Sequence, residues 1–415
     1  MNLIKTSILS FIATAIKILA GLVVNKAVSI FIGPAGLGAI GQFQNALNII
    51  QTFAKGGINS GVTKYTAEYN DDIDSRRALW STSLKLTLIC TVPISIALML
   101  GASHFSDYIF KTNAYSYVFV VFGFTLALFS INQLLLSILN GLKEIGTFIS
   151  INIIQSVYGL ILTTFLIVFF KLDGALIAMV TNQSVVFLIV LWKLRRHKKI
   201  IVDSFRGSFD SEQLRKLLSY SLMTLVSAST VPVSLMVVRD YIGENVSWDA
   251  AGYWQAMTYI STMYLMVVTT ALSTYYLPRL SEIKEKRELR EELKKGYFVL
   301  LPIVIVLSGV IYLLKDFIIW VLFTEEFEAM RELFKWQLIG DVLKITSWLV
   351  AYLMLAKALT KIFIITEIVF AFSFALLSIL LVDKFGVVGT TYAYAFNYFM
   401  YLICMVVLMR KHIFD

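Results

Sequence analysis

Cysteine, histidine and charge are all scarce in this chain. Only two cysteines occur in 415 residues, Cys90 and Cys404, and both fall inside apolar stretches, so no disulfide framework is implied. The three histidines (His104, His197, His412) lie far apart and offer no metal-ligand spacing. Charged residues make up 15% of the chain and hydrophobic residues 58%. A soluble globular domain has roughly 45–50% apolar and about 25% charged residues, so a soluble enzyme is excluded and a polytopic membrane protein is indicated. The first apolar run is too long for a cleaved leader, holds two lysines and lacks a small-x-small cleavage site. No Ser-His-Asp or Cys-His arrangement is assembled and no large loop exists to host catalysis. No catalytic, cofactor or metal site is expected.

What is present is apolar length. Twelve spans are expected: 7–31, 37–66, 79–101, 115–140, 146–170, 174–193, 216–242, 249–277, 296–314, 330–356, 361–382 and 386–409. About 20 residues at 1.5 Å each cover the ~30 Å hydrocarbon core. In lipid each segment must satisfy its own backbone, so the spans are helical unless a barrel closes, and the period-two alternation of barrel strands is missing. Of the 36 Lys and Arg residues, 24 flank the side that holds both termini and 7 the other, which places both termini in the cytoplasm. The formal charge of +9 is therefore a topology signal rather than a nucleic-acid footprint.

The halves repeat. Gly41-Gln-Phe-Gln44 is answered by Gly252-Tyr-Trp-Gln255, Pro93 by Pro302, and Gly174 and Asn182 by Gly389 and Asn397, at offsets of 209–215. Each half closes on a basic tail, Arg195-Arg-His197 and Arg410-Lys-His412. Six spans is an even number, so the two halves enter the membrane alike and are related by an axis along its normal, with a cleft between them. The expected partition is an N-terminal six-helix lobe, 1–193, a cytoplasmic linker, 194–215, and a C-terminal six-helix lobe, 216–415. Leu214, Leu217 and Leu218 predict a short interfacial helix in that linker. The stretch from Ser281 to Lys295 reads as a solvated helix laced by pairs such as Glu282–Lys286 and Glu291–Lys295.

Gly36-Leu-Gly38-Ala-Ile-Gly41 matches a dinucleotide fingerprint, but no strand precedes it and no βαβ unit follows. With Gly33 and Pro34 it reads instead as a tightly packed hinge between the first two spans. Gly56-Gly57, with Gly61 beyond, reads as close packing or a bend in span two. Asp72-Ile-Asp74 imitates a metal-sugar-nucleotide pair, yet lies in a short loop beside Arg76 and Arg77, where a helix cap is the better reading.

The charges inside spans carry the functional argument. Lys17 and Lys55 would lie near mid-depth in spans one and two. A central lysine costs on the order of 2.5–3.5 kcal/mol, which a hydrated interior and an anionic cargo offset. Lys26, Lys64 and Lys85 lie nearer span ends, where snorkelling competes with a cavity role. Asp341 and Lys344 share a face of span ten, and pairing within the bundle competes with cargo binding. Glu367 has no local basic partner in sequence. Arg239-Asp240 at the end of span seven reads as an interface pair or a gate. Together these features describe a two-lobed, twelve-helix transporter with a basic interior suited to an anion.

Ile32-Gly-Pro-Ala-Gly-Leu-Gly38, Gly61-Val-Thr-Lys-Tyr65, Tyr276-Leu-Pro-Arg-Leu280 and the stretch from Met330 to Lys344 resemble the bacterial Wzx-type flippases of lipid-linked oligosaccharides. That family lies within the multidrug/oligosaccharidyl-lipid/polysaccharide exporter superfamily. The resemblance implies an all-α, MATE-like, V-shaped pair of six-helix lobes in the bacterial inner membrane. It also implies a cargo of undecaprenyl-pyrophosphate-linked repeat units, of O-antigen or enterobacterial common antigen. Lys17, Lys26, Lys64, Asp341 and Lys344 fall where similar stretches carry like residues; Lys55 rests on depth alone. The candidate cargo set is Lys17, Lys26, Lys55, Lys64, Arg239 and Lys344. Asp341, Glu367 and Asp240 are candidates for ion coupling or gating, and Gly33, Pro34, Gly36, Gly38 and Gly41 for the hinge. A polysaccharide polymerase and a chain-length regulator are the expected partners. The alternatives are a multidrug/cation antiporter of the same fold and a membrane-embedded glycosyltransferase or polymerase.

Overall fold

A computed structural model describes residues 3–195, 200, 202–357 and 359–413, and among them no strand occurs. The first half of the chain supplies α1 (Leu3–Phe31), α2 (Gly33–Ala54), α3 (Asn59–Glu68), α4 (Ile73–Leu100), α5 (Ala102–Phe110), α6 (Ser116–Gly141) and α7 (Ile145–Leu194). The second supplies α8 (Ser211–Asn245), α9 (Trp248–Ala271), α10 (Leu277–Glu282), α11 (Lys286–Leu313), α12 (Lys315–Leu322), α13 (Phe334–Ala356), α14 (Thr360–Phe385) and α15 (Val388–Ile413).

Nine of the described helices are long and apolar enough to cross a membrane. The 50-residue α7 accounts for two crossings, because Lys171 departs from helical geometry (φ 51°, ψ −125°) and folds it back. The pair α2–α3 and α9, both richer in polar side chains, complete the twelve. Large apolar side chains stand fully out on the outer faces, Leu100, Phe298 and Leu313 among them, each at least 80% exposed. Water would not tolerate that surface, and acyl chains do. The chain is an all-α, multi-pass membrane protein.

The chain divides into two compact units: Met1–Ile32 with Phe43–Pro232, and Gly33–Gln42 with Val233–Asp415. In the first unit α1 packs along α7, and α6 lies against α3, α4 and α7. Its core gathers Ile58, Trp80, Leu134, Ile138 and Val190. In the second unit α13 is central, packed on α11 and α15, with α14 against α15. Leu272, Tyr276, Leu349 and Met405 fill its core. Unit membership differs along the chain from the partition expected at 194–215, since 33–42 belongs to the second unit and 211–232 to the first.

The internal repeat is visible in backbone detail. A Cβ on Gly174 would strike the carbonyl of Leu166, and one on Gly389 would strike that of Leu381, so both glycines perform the same close approach 215 residues apart. The short helices α5 and α12 also occupy matching places after α4 and α11, a pairing that hydropathy does not reveal.

The linker is tied to the first unit. Phe205 stacks on Trp80, with ring centroids 5.8 Å apart. The Gly207 carbonyl accepts from Ser81 Oγ (2.6 Å) and Lys85 Nζ (2.8 Å), and Asp210 N–H donates to Thr82 Oγ1 (3.0 Å). Lys85 thus holds a loop. Residues 196–199 of the basic run lie outside the described residues. Leu214, Leu217 and Leu218 fall in the first turns of α8, which is one continuous helix. The charged stretch 281–295 is interrupted at Ile283–Glu285, which parts Glu282 from Lys286. Arg279 collects the carboxylates instead, at 2.7 Å from Glu288, 3.7 Å from Glu292 and 3.8 Å from Glu282.

Candidate functional site

The first unit holds four of the candidate lysines. Lys17 and Lys26 are nine residues apart on the unbroken α1, about two and a half turns, so they point to opposite faces. Lys17 is exposed and Lys26 half-buried. Lys64 on α3 is exposed, its ammonium 4.8 Å from the Tyr65 ring centroid.

Lys55 sits at a complete break in the second span. Gly56 and Gly57 both take positive φ (64° and 65°), a backbone only glycine adopts cheaply, and the helix restarts at Asn59. A helix end in an apolar setting leaves carbonyls that need donors. Thr91 Oγ1 donates to Ala54 O (2.8 Å), the Ser221 hydroxyl donates to Gly56 O, and Gly57 N–H turns back to Thr52 O (3.1 Å). The half-buried Lys55 ammonium lies 5.4 Å from the Phe129 ring centroid, a cation–π contact.

The second unit contains a buried polar network centred on Asp341, whose side chain is 0% exposed. One carboxylate oxygen accepts from the Ser261 hydroxyl and from Tyr264 OH (2.9 Å); the other accepts from Tyr394 OH (2.9 Å). Ser308 extends the set through Tyr264 (3.1 Å), and Gln337 Nε2 donates to Ser261 Oγ (3.3 Å). Lys344 shares the face of α13 that the spacing predicts, but it is absent from the carboxylate's hydrogen-bond set. Its ammonium rests instead among Trp348, Tyr398 and Tyr394, at 4.9, 5.6 and 5.9 Å from the ring centroids. Glu367 on α14 is half-buried.

The remaining candidates lie elsewhere in this unit. Arg239 on α8 is 1% exposed. Its guanidinium donates to Gln255 Oε1 and reaches Gln42 Oε1 at 3.5 Å, and its centre stands 5.2 Å from the Trp254 ring. The half-buried Asp240 follows it on the helix. Gly33 begins α2 with φ +82°, beside the Glu326 carboxylate, and Pro34 occupies the first turn, where its missing N–H costs nothing. Ala35 N–H donates to Asp249 Oδ1 (3.0 Å). Gly36 is buried, Gly38 packs on the backbone of Gly252, and the Gln255 side chain fills the place a Cβ on Gly41 would take. This glycine stretch is thus a closely packed helix–helix contact within one unit.

Sequence reading missed Ser261, Tyr264, Tyr394 and Tyr398 around Asp341, and Gln42, Gln255 and Trp254 around Arg239. A weak signal existed: Ser261 and Tyr264 are three apart, and Tyr394 and Tyr398 four apart, so each pair lies on one helix face.

The polysaccharide biosynthesis protein family matches residues 3–284. The lipid III flippases of Escherichia coli and Shigella flexneri are each 32% identical to this chain over 417 residues, covering 99% of both chains. Among solved structures, the inward-facing conformation of a multidrug resistance MATE family transporter of the MOP superfamily superposes with a TM-score of 0.76. It is 16% identical and covers 96% of this chain and 94% of that one.

Proposed function

Since the chain belongs to the polysaccharide biosynthesis protein family, we propose that it is a flippase for lipid-linked oligosaccharides. It works in the bacterial inner membrane with both termini cytoplasmic. The cargo is an undecaprenyl-pyrophosphate-linked repeat unit, carried from the cytoplasmic to the periplasmic leaflet by alternating access. The observation that carries this reading is the full-length likeness to two lipid III flippases.

The physical barrier is the head group, because sugars and a pyrophosphate cannot shed water into hydrocarbon without compensation. Lys17, Lys26, Lys55 and Lys64 of the first unit, and Lys344 of the second, supply the compensating charge. The polyprenyl tail stays in lipid throughout. Asp341 and Glu367 are the carboxyl groups through which an ion gradient would act, with Asp240 a further gating candidate. A downstream polymerase and chain-length regulator would remove the product. Arg239 is closed in by glutamines.

The multidrug antiporter reading draws on fold alone, at 16% identity. Its cations would call for an interior dominated by acids, whereas the deep candidate charges here are mainly lysines, Lys17, Lys55 and Lys344. The test is complementation of a flippase-deficient strain, followed by lipid-linked oligosaccharide in each leaflet. Restoration of surface polysaccharide supports the reading. Failure, together with new drug resistance, would favour the antiporter.

A further inference from the structure

The guanidinium of Arg239 has five N–H donors, of which two are directed at neutral glutamine oxygens. Its Nε has no acceptor although the residue is 1% exposed. Among the described residues Arg239 forms no ion pair within 4.0 Å, whereas Arg279, Arg287 and Arg331 each hold a carboxylate. Asp240, one residue on, projects about 100° around the helix from Arg239. A buried cation without a counter-charge is strongly disfavoured. Glutamine dipoles and the face of Trp254 offset only part of that, because neither carries net negative charge.

We propose that the Arg239 cluster is an internal binding site for one small monovalent anion, chloride, held on the Nε edge of the guanidinium. The walls explain the size limit. Gln42 is fixed by its Nε2 donating to Met236 O (3.3 Å), Gln255 is pressed into the space that Gly41 leaves, and Trp254 is 2% exposed. A pyrophosphate bearing sugars and a lipid has no passage to an arginine so enclosed. A spherical ion of one charge matches the missing counter-charge and adds no polar atoms that need donors of their own. This inference does not depend on the nature of the cargo.

The test uses the full-length protein in detergent, with sodium chloride replaced by sodium gluconate at matched ionic strength. Thermal unfolding should shift upward with chloride in a saturable way, and bromide should substitute for it. Equilibrium dialysis with radioactive chloride should give one retained ion per chain. Arg239→Lys keeps the charge but loses the planar donor edge, and should weaken chloride affinity about tenfold. Arg239→Gln should abolish the response. A wild-type protein indifferent to chloride would overturn the proposal, as would an unchanged affinity in Arg239→Lys. Should Arg239→Gln fail to fold, the dialysis and the lysine variant still decide.

Discussion

Lys171 and Gly386 hold nearly the same backbone conformation at the same point in each half of the chain. Lys171, between the two crossings of α7, has φ 51° and ψ −125°; Gly386, between α14 and α15, has φ 60° and ψ −152°. They stand 215 residues apart, the same offset as Gly174 and Gly389. One half meets this turn with glycine, the other with a residue whose Cβ is strained there. Lys171→Gly should therefore raise stability by about 1 kcal/mol, read as a higher unfolding midpoint in detergent. Gly386→Ala should lower it. Equal midpoints for all three proteins would contradict the strain.

The two glycines of the α2–α9 contact should differ in tolerance. A Cβ on Gly252 meets the backbone of Pro34, which cannot yield, whereas one on Gly41 meets the Gln255 side chain, which can. Gly252→Ala should cost about 1–3 kcal/mol or abolish folding. Gly41→Ala should fold but displace Gln255 from Arg239. Yield and thermal midpoint of the two purified variants check this ranking.

Asp341 has three hydroxyl donors. Tyr394→Phe removes one and should cost about 1–2 kcal/mol. Asp341→Ala leaves three buried hydroxyls without their acceptor and should cost about 3–5 kcal/mol. Asp341→Asn keeps the shape and removes the titratable proton. Loss of export in that variant, with a normal unfolding midpoint, would assign Asp341 to ion coupling; unimpaired export would remove it from that role.

Lys17→Ala and Lys344→Ala separate charge from packing. Lys17 is exposed, so its loss should impair surface polysaccharide while insertion and stability stay near wild type. Lys344 is ringed by Trp348, Tyr394 and Tyr398, so its loss should also loosen that cluster. Normal polysaccharide in the Lys17 variant would discredit the proposed cargo site.

Asp72 caps α4: the Ser75 side chain and its amide, whose N–H is 3.0 Å away, hold the Asp72 carboxyl below the usual carboxylate range. A lowered folded-state pKa contributes stability that is present above the unfolded value of about 3.9 and lost as pH falls through the folded value. The midpoint difference between wild type and Asp72→Ala should therefore be constant near neutrality and shrink only below about pH 4. A difference that persists undiminished in acid would rule out the ionised cap.

The crossings and the internal repeat were legible in the sequence, because a span announces itself by length and a duplication by recurring Gly, Pro and Asn. The break at Lys55–Ile58 was half legible, as a bend, since Gly56-Gly57 signals backbone freedom but not where the freed carbonyls find Thr91 and Ser221. The setting of Asp341 was not legible. Its donors come from α9 and α15, and helix-to-helix register is absent from spacing along one helix. Lys85 misled for a related reason: a lysine near a span end looks like a snorkelling side chain until the Gly207 carbonyl is found beside it. The enclosure of Arg239 was not legible either, because Gln42 and Gln255 are remote from it in sequence.

The exchange of segments between the units limits how the gene can be cut. A break in the linker would give an N-terminal fragment still carrying 33–42, a piece that packs with α9, and a C-terminal fragment missing it. That C-terminal fragment would also carry the first turns of α8, whose partners lie in the other product. Co-expressed halves can regain the native arrangement only by trading these pieces.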